Sequence, residues 1–100
     1  MKRLLIRYKT RPDEAAENRR LIENVFAELQ AKSPEGVRYM VLALGDDSFV
    51  HFVEADADND ALLQLPAFKA FQAEVRARCA ELPQVAPATI VGNYRMLEPR

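Results

Sequence analysis

Apolar and polar residues alternate over the first nine positions and then change to a helical period. The run "RLLIRYK", Arg3–Lys9, places Leu4, Ile6 and Tyr8 on one side of a strand. Pro12 suits the first turn of a helix. The apolar residues that follow at three- and four-residue steps are Leu21, Ile22, Val25, Phe26 and Leu29. The pattern predicts a strand and then a helix, which Ser33, Pro34 and Gly36 terminate.

Two β-rich runs and a second helical stretch follow. The segment from Val37 to Ala55 predicts two strands joined by a short turn at Gly45, Asp46 and Asp47. A second helix is predicted with Asp60 capping a lead-in and Pro66 opening its main part. Its apolar stripe consists of Phe68, Phe71, Val75, Cys79 and Leu82. After two prolines, the run "ATIVGNYRML", Ala88–Leu97, predicts the last strand.

The predicted order is strand, helix, strand, strand, helix, strand. This order is typical of the α+β class and of the ferredoxin-like βαββαβ protomer. We therefore expect a four-stranded antiparallel sheet with both helices on one face. A chain of 100 residues is the size of one domain, so residues 1–100 are expected to form a single unit.

Strand alternation predicts that both faces of this sheet are apolar. The set expected to face the helices is Leu4, Ile6, Tyr8, Met40, Leu42, Leu44, Val50, Phe52, Ile90, Tyr94 and Met96. The set expected on the other face is Leu5, Arg7, Val37, Tyr39, Val41, Phe49, His51, Val53, Val91 and Asn93. Because two helices cover one face, the second face would expose a large apolar patch in a monomer. We therefore predict a homodimer that packs sheet to sheet.

Charge and composition exclude several classes of partner. The formal net charge of -1 offers no basic excess for a phosphate backbone or a membrane surface, so we expect neither nucleic-acid nor membrane binding. A single cysteine, Cys79, excludes an internal disulfide. Basic residues interrupt the first apolar run too early for a signal peptide, and no apolar run is long enough to span a bilayer. A soluble cytoplasmic protein is expected.

Two segments carry a resemblance to a known family. The helix entry "LLQLPAFKAFQAEV" and the terminal "TIVGNYRML" resemble those of the antibiotic biosynthesis monooxygenase-like family. The resemblance covers essentially the whole chain. It implies a ferredoxin-like protomer, a dimer whose sheets form an α/β barrel, and cofactor-independent oxygenation of quinol-like aromatics in some members. Other members degrade haem.

The chain departs from this family at the positions that carry imidazole. Many members have a pattern similar to "H-L-x-S-P-H-F" at the helix entry, where this chain has Leu62 and Ala67 instead of the two histidines. Tryptophan is absent. The first strand offers Ile6 and Tyr8 where the haem-degrading branch presents asparagine. These departures argue against haem degradation.

Aromatic residues around a glycine predict a small pocket between the sheet and the helices. The expected lining is Tyr8, Phe52, Phe68, Phe71, Gly92 and Tyr94. Ordinary core packing explains the same cluster. Together with such a pocket, the family resemblance implies a cofactor-independent monooxygenase, or a related small enzyme, acting on a hydroxylated aromatic molecule. The alternative is a non-catalytic dimeric module that binds a small molecule or serves in a stress response.

The single histidine, His51, is expected on the partner-facing side of the sheet. There it would be an interface residue, although an imidazole could also act as a base or ligand. Arg7 and Asn93 are expected beside it. Such a trio could hold an anionic or carbonyl ligand, or form an interface network with Glu54.

No metal and no cofactor is expected. The acids of "EADADND" resemble the start of a calcium loop, but Ala61 and Ala67 occupy the positions of its glycine and its bidentate glutamate. Cys79 lies on the predicted helix stripe as a small buried hydrophobe. A pairing of Cys79 with His51 is disfavoured, because the two are expected on opposite sides of the sheet.

Overall fold

A computed structural model of the chain describes residues 2–96, with four strands and helical segments between them. The strands are β1 Lys2–Thr10, β2 Val37–Ala43, β3 Ser48–Ala55 and β4 Cys79–Pro87. A 3-10 turn, Pro12–Glu14, leads into helix α1, Ala15–Lys32. The second helical region consists of α2 Ala61–Gln64, α3 Pro66–Ala73 and α4 Val75–Arg78. The sheet order is β2-β3-β1-β4 with all neighbours antiparallel. The predicted α+β, ferredoxin-like fold is confirmed.

Local sequence explains where the first helix and the hairpin begin and end. Pro12 opens the 3-10 turn, and α1 ends at Ser33, which has a left-handed φ of 46° and donates its N–H to the Leu29 carbonyl at 2.7 Å. Gly36 follows with φ 77°, a conformation that glycine adopts without strain. In the hairpin, the Asp46 carboxylate accepts the N–H of Ser48 at 3.1 Å. These contacts position β2 and β3 beside each other.

The core lies between one face of the sheet and the helices. Its buried apolar side chains are Tyr8, Ile22, Val25, Phe49, Leu62, Leu65, Phe68 and Phe71. They come from β1, α1, β3 and the second helical region. Burial of these large side chains is the main source of stability, at about 1.5–3 kcal/mol for each aliphatic or phenylalanine side chain.

Strand register shows that the predicted face assignment was wrong for β2 and β3. In β1, Tyr8 faces the helices as expected, but it pairs with Phe49, and Ile6 pairs with His51. Residues directly opposite in a sheet share a face. The helix-facing side therefore carries, from these two strands, Tyr39, Val41, Phe49, His51 and Val53. The prediction put these five on the other face.

The residues predicted to face the helices from β2 and β3 lie on the opposite side. Leu5 pairs with Phe52, and Phe52 pairs with Met40. We call this side the open face and define it by Leu5, Met40, Leu42, Val50 and Phe52. The error has a simple physical cause. Alternation divides the side chains of each strand into two sets, one for each face. Because both faces are apolar, hydrophobicity does not show which set of one strand shares a face with which set of the next strand.

The second helix and the last strand also differ from prediction. The helical region breaks at Glu74 and stops at Arg78, so that Cys79 and Leu82 lie in β4 instead of on a helix stripe. Strand β4 ends at Pro87, whereas the prediction began the strand at Ala88. The predicted strand's last residue, Leu97, lies outside the described residues.

Tertiary pairing explains this shift. Strand β1 has a second edge that needs a hydrogen-bonding partner, and the first residues after Arg78 reach it. Pro83 and Pro87 are tolerated in β4 because an edge strand needs backbone donors on one side alone. The register between β1 and β4 also shifts between Arg7 and Lys9 and again between Lys9 and Thr10, where the regular pairing is interrupted.

The open face is not covered by the helices. Leu5 and Met40 are each 37% exposed and Leu42 is 50% exposed. Arg3 pairs with the buried Glu54 carboxylate at 2.6 Å on the same side. Within residues 2–96, no helix is long and apolar enough to cross a membrane.

Candidate ligand site

A cavity of about 190 Å³ lies between the sheet and the second helical region. Its sheet wall includes Tyr8, Tyr39 and His51, and its helix wall includes Phe68 and Phe71. Aliphatic side chains complete the lining, among them Ile6, Val53 and Leu62. An apolar enclosure with a few convergent polar groups is the usual form of a small-molecule site.

The imidazole of His51 is held between two tyrosine hydroxyls. Tyr8 Oη lies 2.8 Å from His51 Nε2, and Tyr39 Oη lies 2.6 Å from His51 Nδ1. The three residues come from β1, β3 and β2, whose register places them on one face of the sheet as diagonal neighbours. Both ring nitrogens are therefore satisfied inside the protein, which allows the histidine to be 4% exposed.

Two further side chains extend this group toward the second helical region. Asn18 Nδ2 donates to Tyr8 Oη at 2.9 Å, and Arg78 Nε donates to Asn18 Oδ1 at 3.0 Å. These hydrogen bonds link five side chains in a row, which we call the polar chain: Arg78, Asn18, Tyr8, His51 and Tyr39. It runs from α4 through α1 and across three strands.

Arg78 is held at the head of the polar chain by contacts to Phe71. Its Nη2 donates to the Phe71 carbonyl at 2.8 Å, and its guanidinium carbon lies 5.3 Å from the centre of the Phe71 ring. The residue is 5% exposed. None of the carboxylates of residues 2–96 forms an ion pair with it. Its positive charge acts on the amide and the ring beside it and, with a smaller effect than Arg20, lowers the pKa of the exposed Glu17 carboxyl.

Burial keeps the other members of the polar chain neutral. It lowers the pKa of His51 to about 4 and raises the pKa of Tyr8 and Tyr39 well above the usual tyrosine range. At neutral pH the imidazole and both phenols are uncharged. The cavity therefore offers hydrogen bonds, and His51 is a weak base.

Aromatic rings form flat walls around the hydroxyl groups. The Phe68 and Phe71 ring centres lie 6.1 Å apart, and Phe71 lies 5.4 Å from His51. Behind the sheet wall, Phe26 stacks on Tyr39 with ring centres 5.0 Å apart. Such stacking fixes the direction of each tyrosine hydroxyl.

The structure brings together three of the six residues that the sequence predicted to line a pocket: Tyr8, Phe68 and Phe71. Phe52 belongs to the open face, because it pairs with Leu5 and Met40. Gly92 and Tyr94 follow β4 in an exposed segment, where Tyr94 is 80% exposed and no atom lies within 4 Å of a Cβ built on Gly92. These three predictions were wrong, since they depended on a face and on a last strand that the register places elsewhere.

The predicted polar trio does not form. Arg7 pairs across the sheet with Val50 and Gln84, on the side opposite His51. Asn93 lies beyond the end of β4, in the exposed segment that follows it. His51 is a helix-facing residue in the cavity wall, which corrects its predicted place on the partner-facing side.

Sequence reasoning missed Tyr39, Asn18 and Arg78 as site residues. Asn18 precedes Ile22 and Val25 at helical spacing, and Arg78 follows Phe71 and Val75 in the same way. A polar residue on an apolar helix stripe is a signal of a buried hydrogen-bonding group. Tyr39 carries no comparable signal, because the alternation of residues in β2 is compatible with either face of the sheet for this side chain.

A larger groove of about 540 Å³ runs between α1 and β2 but is a weaker candidate. Its polar lining consists of the exposed residues Arg19, Glu23 and Gln30. No buried hydroxyl or imidazole lines it. Within residues 2–96, no three histidine, cysteine or acidic side chains come together as a metal site.

Several of the solved structures that are similar to this fold share one description. No protein-family model matches the sequence, and a search of curated proteins finds no match either. A protein from Caulobacter crescentus assigned as an antibiotic biosynthesis monooxygenase aligns with TM-score 0.71 and 20% identity, over 90% of this chain and 89% of that chain. A protein from Bacteroides thetaiotaomicron with the same assignment aligns with TM-score 0.76 and 14% identity, over 99% and 95%. The chain has the fold of the antibiotic biosynthesis monooxygenase-like proteins.

A further structure in this group is SnoaB from Streptomyces nogalater, described as a cofactor-independent oxygenase. It aligns with TM-score 0.65 and 22% identity, over 93% of this chain and 95% of that chain. At these identities the likeness establishes the fold. The two positions where antibiotic biosynthesis monooxygenase-like proteins often have histidine serve other purposes here. Leu62 lines the cavity, and the Ala67 N–H donates to the Glu28 carboxylate at 2.8 Å.

Proposed function

We propose that the protein is a cofactor-independent monooxygenase that acts on a small hydroxylated, quinol-like aromatic molecule. The observation that carries this proposal is the aromatic cavity whose wall presents a hydrogen-bonded tyrosine, histidine and tyrosine. Tyr39 would bind the ring hydroxyl of the substrate, and Phe68 and Phe71 would contact its faces. The fold shared with SnoaB supports the reaction class.

The cavity volume limits the size of the substrate. An apolar cavity of roughly 150 Å³ holds one benzene ring. The cavity of about 190 Å³, which is partly open to solvent, therefore suits a single substituted ring better than a fused polycyclic substrate.

A quinol can supply all the electrons that the reaction needs. Two electrons are released when the two hydroxyls become carbonyls, and two more when one ring C–H becomes C–OH. Dioxygen takes these four electrons; one oxygen atom enters the ring, and the other leaves as water with the two hydrogens that the substrate loses. The reductant is the substrate itself, so the residues of the cavity need only orient the ring and favour its ionised form.

The state of His51 favours one further candidate, a module that binds a small molecule without catalysis. With its pKa lowered to about 4, the imidazole is a poor acceptor for a phenolic proton. A binding protein would use the same cavity and the same hydroxyls but would not consume oxygen.

Oxygen uptake with a panel of quinols separates the two functions. For the enzyme we expect one dioxygen consumed per methylhydroquinone and water as the second product, with a much slower reaction for a two-ring quinol. Tyr39→Phe should lower kcat/KM by roughly tenfold or more, as expected for one lost hydrogen bond to the reacting oxygen. Tyr94→Phe, which changes an exposed tyrosine, is the matched control. Saturable binding without oxygen uptake would establish the binding module, and no binding would reject both functions.

We also infer a homodimer formed through the open face. The partner is a second copy of this chain, since the apolar side chains of Leu5, Met40, Leu42, Val50 and Phe52 form a patch that can pack against itself about a two-fold axis. The reason for predicting a dimer from the sequence was that the helices leave one apolar face of the sheet exposed, and this reason still applies, although different residues form that face. Val41 and Val53, which the prediction placed at this interface, face the helices.

A further inference from the structure

The hydrogen bonds around His51 leave one tyrosine proton without an acceptor in the polar chain. A neutral imidazole carries one N–H donor and one acceptor nitrogen. It contacts two hydroxyls, so it accepts a hydrogen bond from one tyrosine and donates one to the other. The tyrosine that accepts keeps its O–H proton free for another partner. Tyr8 and Tyr39 both line the cavity, so either could direct that proton toward a ligand.

Arg78 sets the orientation of the amide next to Tyr8. A guanidinium only donates hydrogen bonds, so the atom of Asn18 that faces Arg78 Nε must be the carbonyl oxygen. The amide nitrogen then faces Tyr8 Oη and donates to it. A neutral Asn18 side chain beside a buried cation therefore has one stable orientation.

The charge of Arg78 also favours one direction for the bonds beyond Asn18. Arg78 polarises the Asn18 amide, which makes its N–H a stronger donor. The Tyr8 hydroxyl, which accepts from that N–H, in turn becomes a stronger donor. Tyr8 then donates to His51 Nε2, and His51 Nδ1–H donates to Tyr39 Oη. In this arrangement all bonds of the polar chain point the same way, and the Tyr39 proton is the free one. The reverse arrangement gives Tyr8 two donors and opposes the field of Arg78.

We propose that Arg78 is a positioning residue that, through Asn18, directs the polar chain so that the Tyr39 hydroxyl is the free donor of the cavity. The ligand chemistry that this site takes is an acceptor oxygen, best in the anionic form of a phenolate or enolate. The ligand class rests on the proposed function, whereas the direction of the polar chain does not.

The tautomer of His51 tests the direction without any ligand. Nitrogen-15 NMR of the imidazole is unambiguous because the chain has one histidine. At neutral pH we expect the proton on Nδ1 in the native protein. A proton on Nε2 would overturn the proposal, and this measurement needs no variant to fold.

Variants of Arg78 test its role in the direction. Arg78→Met should give a mixture of tautomers or a shift to Nε2–H, and Arg78→Lys, which keeps the charge, should restore Nδ1–H at least in part. Arg76→Met, at an exposed site on the same helix, is the control and should leave the tautomer unchanged. A folded Arg78→Met protein that retains pure Nδ1–H would show that Arg78 does not set the direction.

A chromogenic phenol tests the ligand class. Bound 4-nitrophenol should have an ionisation constant about tenfold larger in the native protein than in a variant that lacks the Tyr39 hydroxyl, equivalent to one pKa unit, because that hydroxyl donates to the coloured phenolate. Tyr39→Phe should remove this effect, and Tyr94→Phe should not. Failure of 4-nitrophenol to bind, or loss of the effect in Tyr8→Phe but not in Tyr39→Phe, would overturn the assignment of Tyr39. Phenolate binding without quinol turnover would support this inference and reject the oxygenase function.

Discussion

At the scale of single residues, the buried polar groups decide what the cavity can do. His51 is surrounded by Tyr8, Tyr39 and Phe71, and its two nitrogens are both used in hydrogen bonds. An imidazole in such a place stabilises the fold when neutral and opposes it when protonated, because a charge would lose the solvation of water. The same burial that makes His51 a weak base therefore makes it sensitive to acid.

We expect acid to destabilise the protein through His51. In the unfolded chain this imidazole has its ordinary pKa of 6.5, whereas in the fold it binds a proton only near pH 4. Between these values the unfolded state binds more protons, so the free energy of unfolding falls as the pH falls from 6.5 to 4. The shift corresponds to a loss of ~3 kcal/mol. Urea unfolding at a series of pH values measures it.

His51→Gln is the control for this pH dependence. The variant is less stable at neutral pH but lacks the titrating ring, so its stability should change less over the same range. Acids with lowered pKa, such as Glu28 and Asp46, are common to both proteins and cancel in the difference. Equal pH profiles for the two proteins would contradict the buried, neutral histidine.

At the scale of elements, short connections fix where the strands begin. The turn after α1 brings Gly36 against the loop before α2, where Asn59 Nδ2 donates to the Glu35 carbonyl at 3.0 Å. The Asn59 carboxamide oxygen accepts the N–H of Ala61 at 3.0 Å. One asparagine thus connects the start of β2 to the start of the second helical region, which forms the helix wall of the cavity.

Gly36→Ala should destabilise the fold, whereas Gly45→Ala should not. Gly36 has φ 77°, and a Cβ there would lie 2.8 Å from Asn59 Nδ2. We expect a loss of about 1–2 kcal/mol in the free energy of unfolding. Around Gly45 a Cβ meets nothing within 4 Å, so alanine should be neutral or stabilising by up to ~1 kcal/mol. Urea denaturation compares the two, and equal effects would show that the Gly36 contact does not matter.

At the scale of the whole molecule, one sheet serves two apolar surfaces. The helices bury one face and create the cavity, and the open face is the surface through which we propose that the homodimer forms. The two surfaces are independent in their side chains, since alternate residues of each strand point to opposite sides. Substitutions on the open face should therefore act on assembly and leave the polar chain in place.

Leu42→Asp should weaken the homodimer. A carboxylate in an apolar interface loses its hydration without gaining a partner, so the dissociation constant should rise by at least tenfold. Leu63→Asp is a matched control, because Leu42 and Leu63 are 50% and 51% exposed but Leu63 lies on α2, away from the open face. Light scattering at micromolar concentration should give twice the protomer mass for the native protein and for Leu63→Asp. A native monomer would contradict the proposed dimer.

Sequence by itself determined the order of elements and part of the site. Strand and helix periods differ, so local pattern was enough to place β1, α1, the hairpin and the start of α3 at Pro66. Helix spacing put Phe68 and Phe71 on one stripe, and β1 alternation put Tyr8 toward the helices; all three line the cavity. The period of an element and the residues that share one side of it depend on residues close together in the sequence, so they can be read from the sequence alone.

Only the tertiary structure decided which strand faces meet and where the last strand lies. A one-residue change of register moves every side chain to the other face, and with both faces apolar nothing local favours one register. Pairing with β1 placed His51 and Tyr39 in the cavity and Phe52 on the open face. The same pairing placed Cys79–Pro87 at the free edge of β1, in a segment whose prolines locally disfavour a strand. Long-range hydrogen bonds from this segment satisfy the backbone N–H and C=O groups at that edge of β1, and the local sequence pattern contains no information about this pairing.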